Sequence, residues 1–175
     1  YTYGGAFLQA FVRERCWQEI DALYQDLPTS TEQILHPERF LDRDDPLDLS
    51  GDRLLQEREG EERIYETELG EFSILLLLDH YLETEAAEIA SRGWDGDGFA
   101  LFQTPDGHRL SAVSSWDSAA DAREFFDAVR ELVKLRFPEL EKEIADENRI
   151  RIRSRRARIA VSLHETRVEW SESHF

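Results

Sequence analysis

Residues 99–116 read Phe99-Ala100-Leu101-Phe102-Gln103-Thr104-Pro105-Asp106-Gly107-His108-Arg109-Leu110-Ser111-Ala112-Val113-Ser114-Ser115-Trp116, and this stretch decides the fold class. Phe99, Leu101 and Gln103 alternate with Ala100, Phe102 and Thr104, and the alternation resumes through Leu110, Ala112, Ser114 and Trp116. A period of two sends successive side chains to opposite faces of a strand. Between the two runs, Thr104-Pro105-Asp106-Gly107 is a turn with a mechanism: Pro presets φ and Gly takes the left-handed position. The stretch is a β-hairpin.

On its upstream side the period changes. Ile74-Leu75-Leu76-Leu77-Leu78 is apolar on every side of a helix, and Tyr81, Leu82, Ala86, Ala87, Ile89 and Ala90 continue it towards a stop at Gly93. The pattern predicts one long helix over 68–92, buried all round. Downstream, Ser118 with Asp121 caps a helix over 119–137, whose stripe is Ala122, Phe125, Phe126, Val129, Leu132 and Val133. Pro138 ends or kinks it, and 139–146 reads as a last helical piece. The tail alternates again. Ile150 and Ile152 oppose Arg149, Arg151 and Arg153; Ile159, Val161 and Leu163 oppose Arg158, Ala160 and Ser162; Val168 and Trp170 oppose Arg167 and Glu169. Two or three short antiparallel strands with one solvated face follow from this.

At the other end, Phe7, Leu8, Phe11, Val12, Cys16, Ile20, Leu23 and Tyr24 recur at helical spacing over 6–27, and Pro28 stops the run. Ser30 with Gln33 forms a capping box before Pro37 restarts the chain. Residues 42–63 form an acidic loop, with Leu47, Leu49, Leu54 and Leu55 as its pins. The expected architecture is α+β: helices, one long and fully buried, packed on a small antiparallel sheet built from the hairpin and the C-terminal strands. Residues 1–175 read as a single domain, with 94–175 as its ββαββ-like half.

Composition sets the outer limits. The chain has 175 residues, 41% of them hydrophobic, and a net charge of −17 from 21 basic and 38 acidic side chains. That length supports a real core, and the acid excess dresses a globular chain. No apolar run approaches the roughly 18 residues of a membrane span. The charge argues against a nucleic-acid partner. The single cysteine, Cys16, excludes an internal disulfide. All the basic residues except Lys134 and Lys142 are Arg, which suits solubility at high salt or a GC-rich genome. The chain opens on Tyr1, contains no methionine and lacks the parts of a signal peptide, so it reads as the downstream part of a larger protein.

Chemistry is sparse. The five histidines include no pair at zinc-helix spacing, so no metal is assigned within this chain. Asp79-His80 on the apolar helix offers an acid/base pair, and a satisfied core histidine is the plainer reading. Trp94-Asp95-Gly96-Asp97-Gly98 begins like a calcium loop, but Phe99 stands where a donor belongs, so a tight helix-to-strand connection is favoured. Glu32 and His36, at i and i+4, share a helix face beside Gln33, as an acid/base or binding group would; capping and a surface pair explain them as well. Six arginines fall within 149–158. Arg149, Arg151 and Arg153 could clamp an anion or a partner, although the acidic surplus favours pairing within the protein.

Several blocks carry a resemblance. They are Tyr3-Gly4-Gly5-Ala6-Phe7, Trp17, Tyr24, Pro28, Ser30-Thr31-Glu32-Gln33-Ile34-Leu35-His36-Pro37-Glu38, Leu69-Gly70-Glu71, Gly93-Trp94-Asp95-Gly96-Asp97, Trp116-Asp117, Asp121-Ala122 and Glu124-Phe125. Together they resemble the C-terminal region of uncharacterised prokaryotic zincin-like proteins related to metallopeptidases, with the S-T-E-Q-x-L-H-P block the most specific element. The resemblance implies a hydrolase lineage whose zinc and general base come from an upstream half. It also implies a peptide substrate, an extracytoplasmic setting, and Glu32, Gln33 and His36 lining a cleft. The zinc helix itself is not in this sequence, so no catalytic or metal role passes to any residue here, and the chain is not a complete enzyme by itself. The first expectation is therefore a scaffold or cleft-wall subdomain of such a protein. The alternative is a non-catalytic α+β binding module that uses the Arg-rich strand face.

Overall fold

The computed structural model describes residues 2–15, 17–138, 142–154 and 157–175, and of 18 and 142–145 the backbone. Where the sequence reads as one domain, contacts separate two compact units, Tyr1–Pro46 and Leu47–Phe175.

The first unit is helical. Helix α1 spans Thr2–Glu14, a 3-10 turn covers Trp17–Glu19, and α2 spans Ile20–Leu23. The single helix predicted over 6–27 is thus interrupted after Glu14, and Cys16 lies outside the described residues. The break lets Phe7 and Phe11 of α1 and Leu23 of α2 meet one small core around Phe40. Helix α3, Thr31–Leu35, begins at Ser30, whose hydroxyl accepts the Gln33 amide N–H at 3.2 Å. The reciprocal half of the capping box is shifted by one residue, since the Gln33 side-chain carbonyl accepts from Thr29 N–H at 2.8 Å. His36 leaves helical geometry, and Pro37 opens α4, Pro37–Asp42.

The second unit is a sheet of seven strands with three helices on one face. In chain order come β1 (Glu62–Thr67), α5 (Gly70–Asp79), α6 (Thr84–Ser91), β2 (Trp94–Thr104) and β3 (Gly107–Trp116). Then follow α7 (Ala119–Arg136), β4 (Lys142–Ala145), β5 (Arg149–Arg153), β6 (Ala157–His164) and β7 (Arg167–His174). The strand order is β1-β2-β3-β7-β6-β5-β4, antiparallel throughout. The α+β class, the hairpin and the tail strands stand as expected, but the sheet is not small. Strand β4 replaces the helical piece expected at 139–146, of which 139–141 lie outside the described residues. The ββαββ-like half therefore has four strands after its helix.

Register sorts the faces. Phe99, Ala112, Trp170, Val161 and Ile150 form one row across the sheet, and Leu101, Leu110, Glu172, Ile159 and Ile152 the next. This face meets α5, α6 and α7 in the main core, with Leu78, Trp94, Trp116, Phe126 and Leu132 at its centre. On the opposite face, the segment 47–61 covers β2 and β3. Leu55 is fully buried there against Ala100, Phe102 and Val113, so the acidic loop is a packed coat.

The predicted long buried helix is corrected in two ways. It divides into α5 and α6 around residues 80–83, and Leu76 and Leu77 are 53% and 38% exposed. One side of α5 is enough to reach the sheet, so Leu76 faces outward and Leu77 stands at the margin of the core.

Candidate functional site

Asp97 fixes the start of α5. It is buried on β2 and accepts N–H bonds from Leu69 at 2.9 Å, Gly70 at 2.8 Å and Trp94 Nε1 at 3.1 Å. Residue 69 at the helix N-cap gives no side-chain cap of its own. A strand carboxylate therefore satisfies the orphan donors at a helix N-terminus, where the macrodipole favours negative charge. Burial raises the Asp97 carboxyl above its usual range, against the lowering effect of these bonds. The Trp94–Gly98 block is thus a helix anchor inside a strand. Its glycines serve close approach: a Cβ at Gly96, where φ is +134°, would meet Leu47 O at 2.4 Å, and one at Gly98 would meet Leu55 Cδ1 at 2.3 Å.

From this anchor α5 crosses the sheet without closing onto it. A cavity of about 360 Å³ lies between α5, α7 and strands β2, β3 and β7. Ile74, Leu77 and Tyr81 form its roof; Phe99, Leu110, Ala112 and Trp170 form its floor. Small side chains at Ala112 and Ser114, in the middle of the helix-facing side, leave the space. Phe99, Leu110 and Ala112 consequently remain only half-buried, although they sit mid-sheet. Leu77, itself part of the wall, reaches solvent, so the cavity is open rather than sealed.

One end of the cavity is ionic. Glu172 occupies an apolar row of the sheet and is fully buried. Its Oε1 accepts from Arg136 Nη1 at 2.7 Å and Trp170 Nε1 at 3.0 Å, and its Oε2 lies 3.0 Å from His174 Nε2. Arg136 comes from the last turn of α7 and keeps about a third of its side chain exposed. A buried carboxylate is tolerable only with such partners. Ser114 lines the wall too, but its hydroxyl accepts from Trp116 Nε1 at 3.0 Å. Among the described residues no group of three or more His, Cys, Asp or Glu side chains could hold a metal. The polar groups at the wall hold one another, and the open surface is hydrocarbon.

The residues singled out from sequence lie elsewhere. Glu32 and Gln33 are buried within the first unit. Gln33 donates to Asp44 O at 2.8 Å and Asp45 Oδ1 at 3.0 Å, bracing that loop. Glu32 lies 3.6 Å from Arg39 Nε, and His36 lies 3.9 Å from Glu38. His36 closes α3 as its C-cap, its backbone N–H donating to Glu32 O at 2.7 Å. His80 is exposed, edge-on to Tyr81 at 4.8 Å, and not a core histidine. Arg149, Arg151 and Arg153 stand exposed on the uncoated side of β5. The internal pairing expected for them is absent among the described residues, and Arg155 and Arg156 lie outside those residues.

A buried guanidinium escaped the sequence reading. Arg109 on β3 donates through Nε to Glu61 at 2.8 and 3.0 Å and through Nη2 to Gln56 O at 3.1 Å, and it stacks 3.8 Å over Phe102. It clamps the coat to the sheet. Its bonds hold the Glu61 carboxyl below the usual range. The cavity was missed as well, yet Val168-x-Trp170-x-Glu172 carried a signal: a Glu where the alternation asks for an apolar residue.

A family model described as a domain of unknown function, DUF8575, matches residues 55–173. The chain belongs to the DUF8575 family. The match takes in β1 to β6, β7 up to Ser173, α5 to α7 and the cavity, while the Ser30–Pro37 block lies outside it. No curated protein and no solved structure matches the chain. Membership in DUF8575 brings no activity with it, and the likeness to zincin-type proteins stays an expectation of the sequence.

Proposed function

We propose that the DUF8575 unit is a non-catalytic binding module that takes a small, predominantly apolar molecule between α5 and the sheet. The observation that carries this reading is the open cavity of about 360 Å³, lined by Leu77, Tyr81, Phe99, Leu110 and Trp170. Ligand pockets span roughly 300–1,000 Å³ and are mostly apolar with a few fixed polar groups. Arg136 and Glu172 are such groups at one end. The mutual satisfaction of the wall's polar side chains favours binding over chemistry, since no nucleophile is held against a base there. No helix among the described residues is long and apolar enough to cross a membrane.

The scaffold reading, a cleft wall for a zincin-like metallopeptidase with zinc from upstream, rests on the Ser30–Pro37 block. The bonds made by Gln33 and the burial of Glu32 favour bracing over substrate contact there.

Nile red uptake tests the proposal. Ala112→Phe places a ring into the cavity from its floor. The expected result is at least about a tenfold loss of dye affinity, with stability raised by about 1 kcal/mol through cavity filling. Unchanged dye affinity in a folded Ala112→Phe protein overturns it.

A further inference from the structure

The sheet's second face divides in two. Over β2 and β3 it is coated by 47–61; over β5 and β6 it is bare, and the bare half is cationic. Arg149, Arg151 and Arg153 project from alternate positions of β5, and Arg158 projects from β6 as the register partner of Arg153. Like charges directly opposite one another across two strands are destabilising. In a chain of net charge −17, carboxylates are plentiful, yet among the described residues none lies within ion-pairing distance of these four. Elsewhere on the same face Arg167 is paired, with Asp52 and Glu169. Arg158 lies over the Phe175 ring at 5.0 Å, while Arg149, Arg151 and Arg153 stay exposed with no ion pair among the described residues.

We propose that the open face of β5 and β6 docks an extended acidic segment of a partner polypeptide. Alternate residues on a strand lie about 6.6–6.8 Å apart. The three guanidinium groups of β5 therefore repeat at the interval of alternate carboxylates on another extended chain. Each Arg–carboxylate contact can be bidentate. Beside the Arg row the outward side chains are short: Ala160 and Ser162 on β6, Ser171 on β7. Glu169, the register neighbour of Ser162 on this face, is held by Arg167 at 3.0 Å, so the short side chains leave room for an extended segment along β5. The size of the patch favours this occupant over a nucleic acid or an anionic membrane. It is two strands wide, and a long polyanion or a charged bilayer leaving it would meet the acidic remainder of the protein. A short acidic segment fits inside it.

The test uses the full chain and a fluorescein-labelled peptide of alternating Glu and Ser, followed by anisotropy. Saturable binding is expected. It should weaken by about tenfold or more in the triple variant Arg149→Gln, Arg151→Gln, Arg153→Gln, since three exposed charge pairs are lost. The triple Lys variant, which keeps charge but not the fork, should fall between the two. Nile red uptake, on the other side of the sheet, should be unchanged in both and reports folding independently of the Arg face. Three outcomes overturn the proposal: no saturable peptide binding, equal binding by the folded Gln variant, or tighter binding of oligothymidylate or phosphatidylserine vesicles than of the peptide.

Discussion

At the scale of single residues, three buried charges organise the second unit, and each joins parts distant in sequence. Asp97 ties β2 to the start of α5, Glu172 ties β7 to the end of α7, and Arg109 ties β3 to the coat. Asp97 has a testable pH signature. Its folded carboxyl titrates above the usual 3.8, so the folded state holds that proton more tightly than the unfolded state. Its contribution to stability is therefore greatest at low pH and declines as pH rises from about the unfolded value through the raised one. Asp97→Asn removes this decline. Urea unfolding should show a smaller stability deficit for the variant at pH 7 than at pH 4; a larger deficit at pH 7 would mean that the hydrogen bonds outweigh burial. These residues were poorly legible in sequence for a common reason. A buried charge looks like a solvated one until its distant partners are known. Only Glu172 broke a visible pattern.

At the scale of elements, the tail strands read well because β5, β6 and β7 have an inner and a more exposed face. Strands β2 and β3, covered on both faces, were marked instead by their alternation about the Pro105–Gly107 turn. Ile150 and Ile152 against Arg149 and Arg151 leave one orientation open. Segments with neither signal were misread. Strand β1 is an edge strand with charges interspersed, as edges often are. In β4 the sequence Lys142-Glu143-Ile144-Ala145 has helical propensity, yet pairing with β5 makes it a strand. The α5–α6 break carries neither Gly nor Pro, so nothing local announced it. The two leucine classes of α5 can be separated experimentally. Leu78 is fully buried, and Leu78→Ala should cost about 2–5 kcal/mol. Leu76→Lys, at an exposed position, should change the urea midpoint by no more than about 0.5 kcal/mol equivalent. A large loss at Leu76 would show that the outer side of α5 is covered.

At the scale of the whole molecule, the three hydrophobic clusters respect the division of the chain. One lies entirely within Tyr1–Pro46, and two lie within Leu47–Phe175. A polypeptide of residues 47–175 should therefore fold with a single cooperative transition and keep its Nile red uptake; a molten far-UV signal without near-UV structure would refute this. Strand order lay beyond the sequence, because β7 returns to pair with β3 across the intervening α7, β4, β5 and β6. Such closure depends on contacts far apart along the chain, which local periodicity does not encode. The space under α5 has a mechanical corollary. Voids make the folded form bulkier than the unfolded form, so compression opposes folding. This fold should yield to hydrostatic pressure more readily when empty than when filled, and a resident guest would be felt as stiffness.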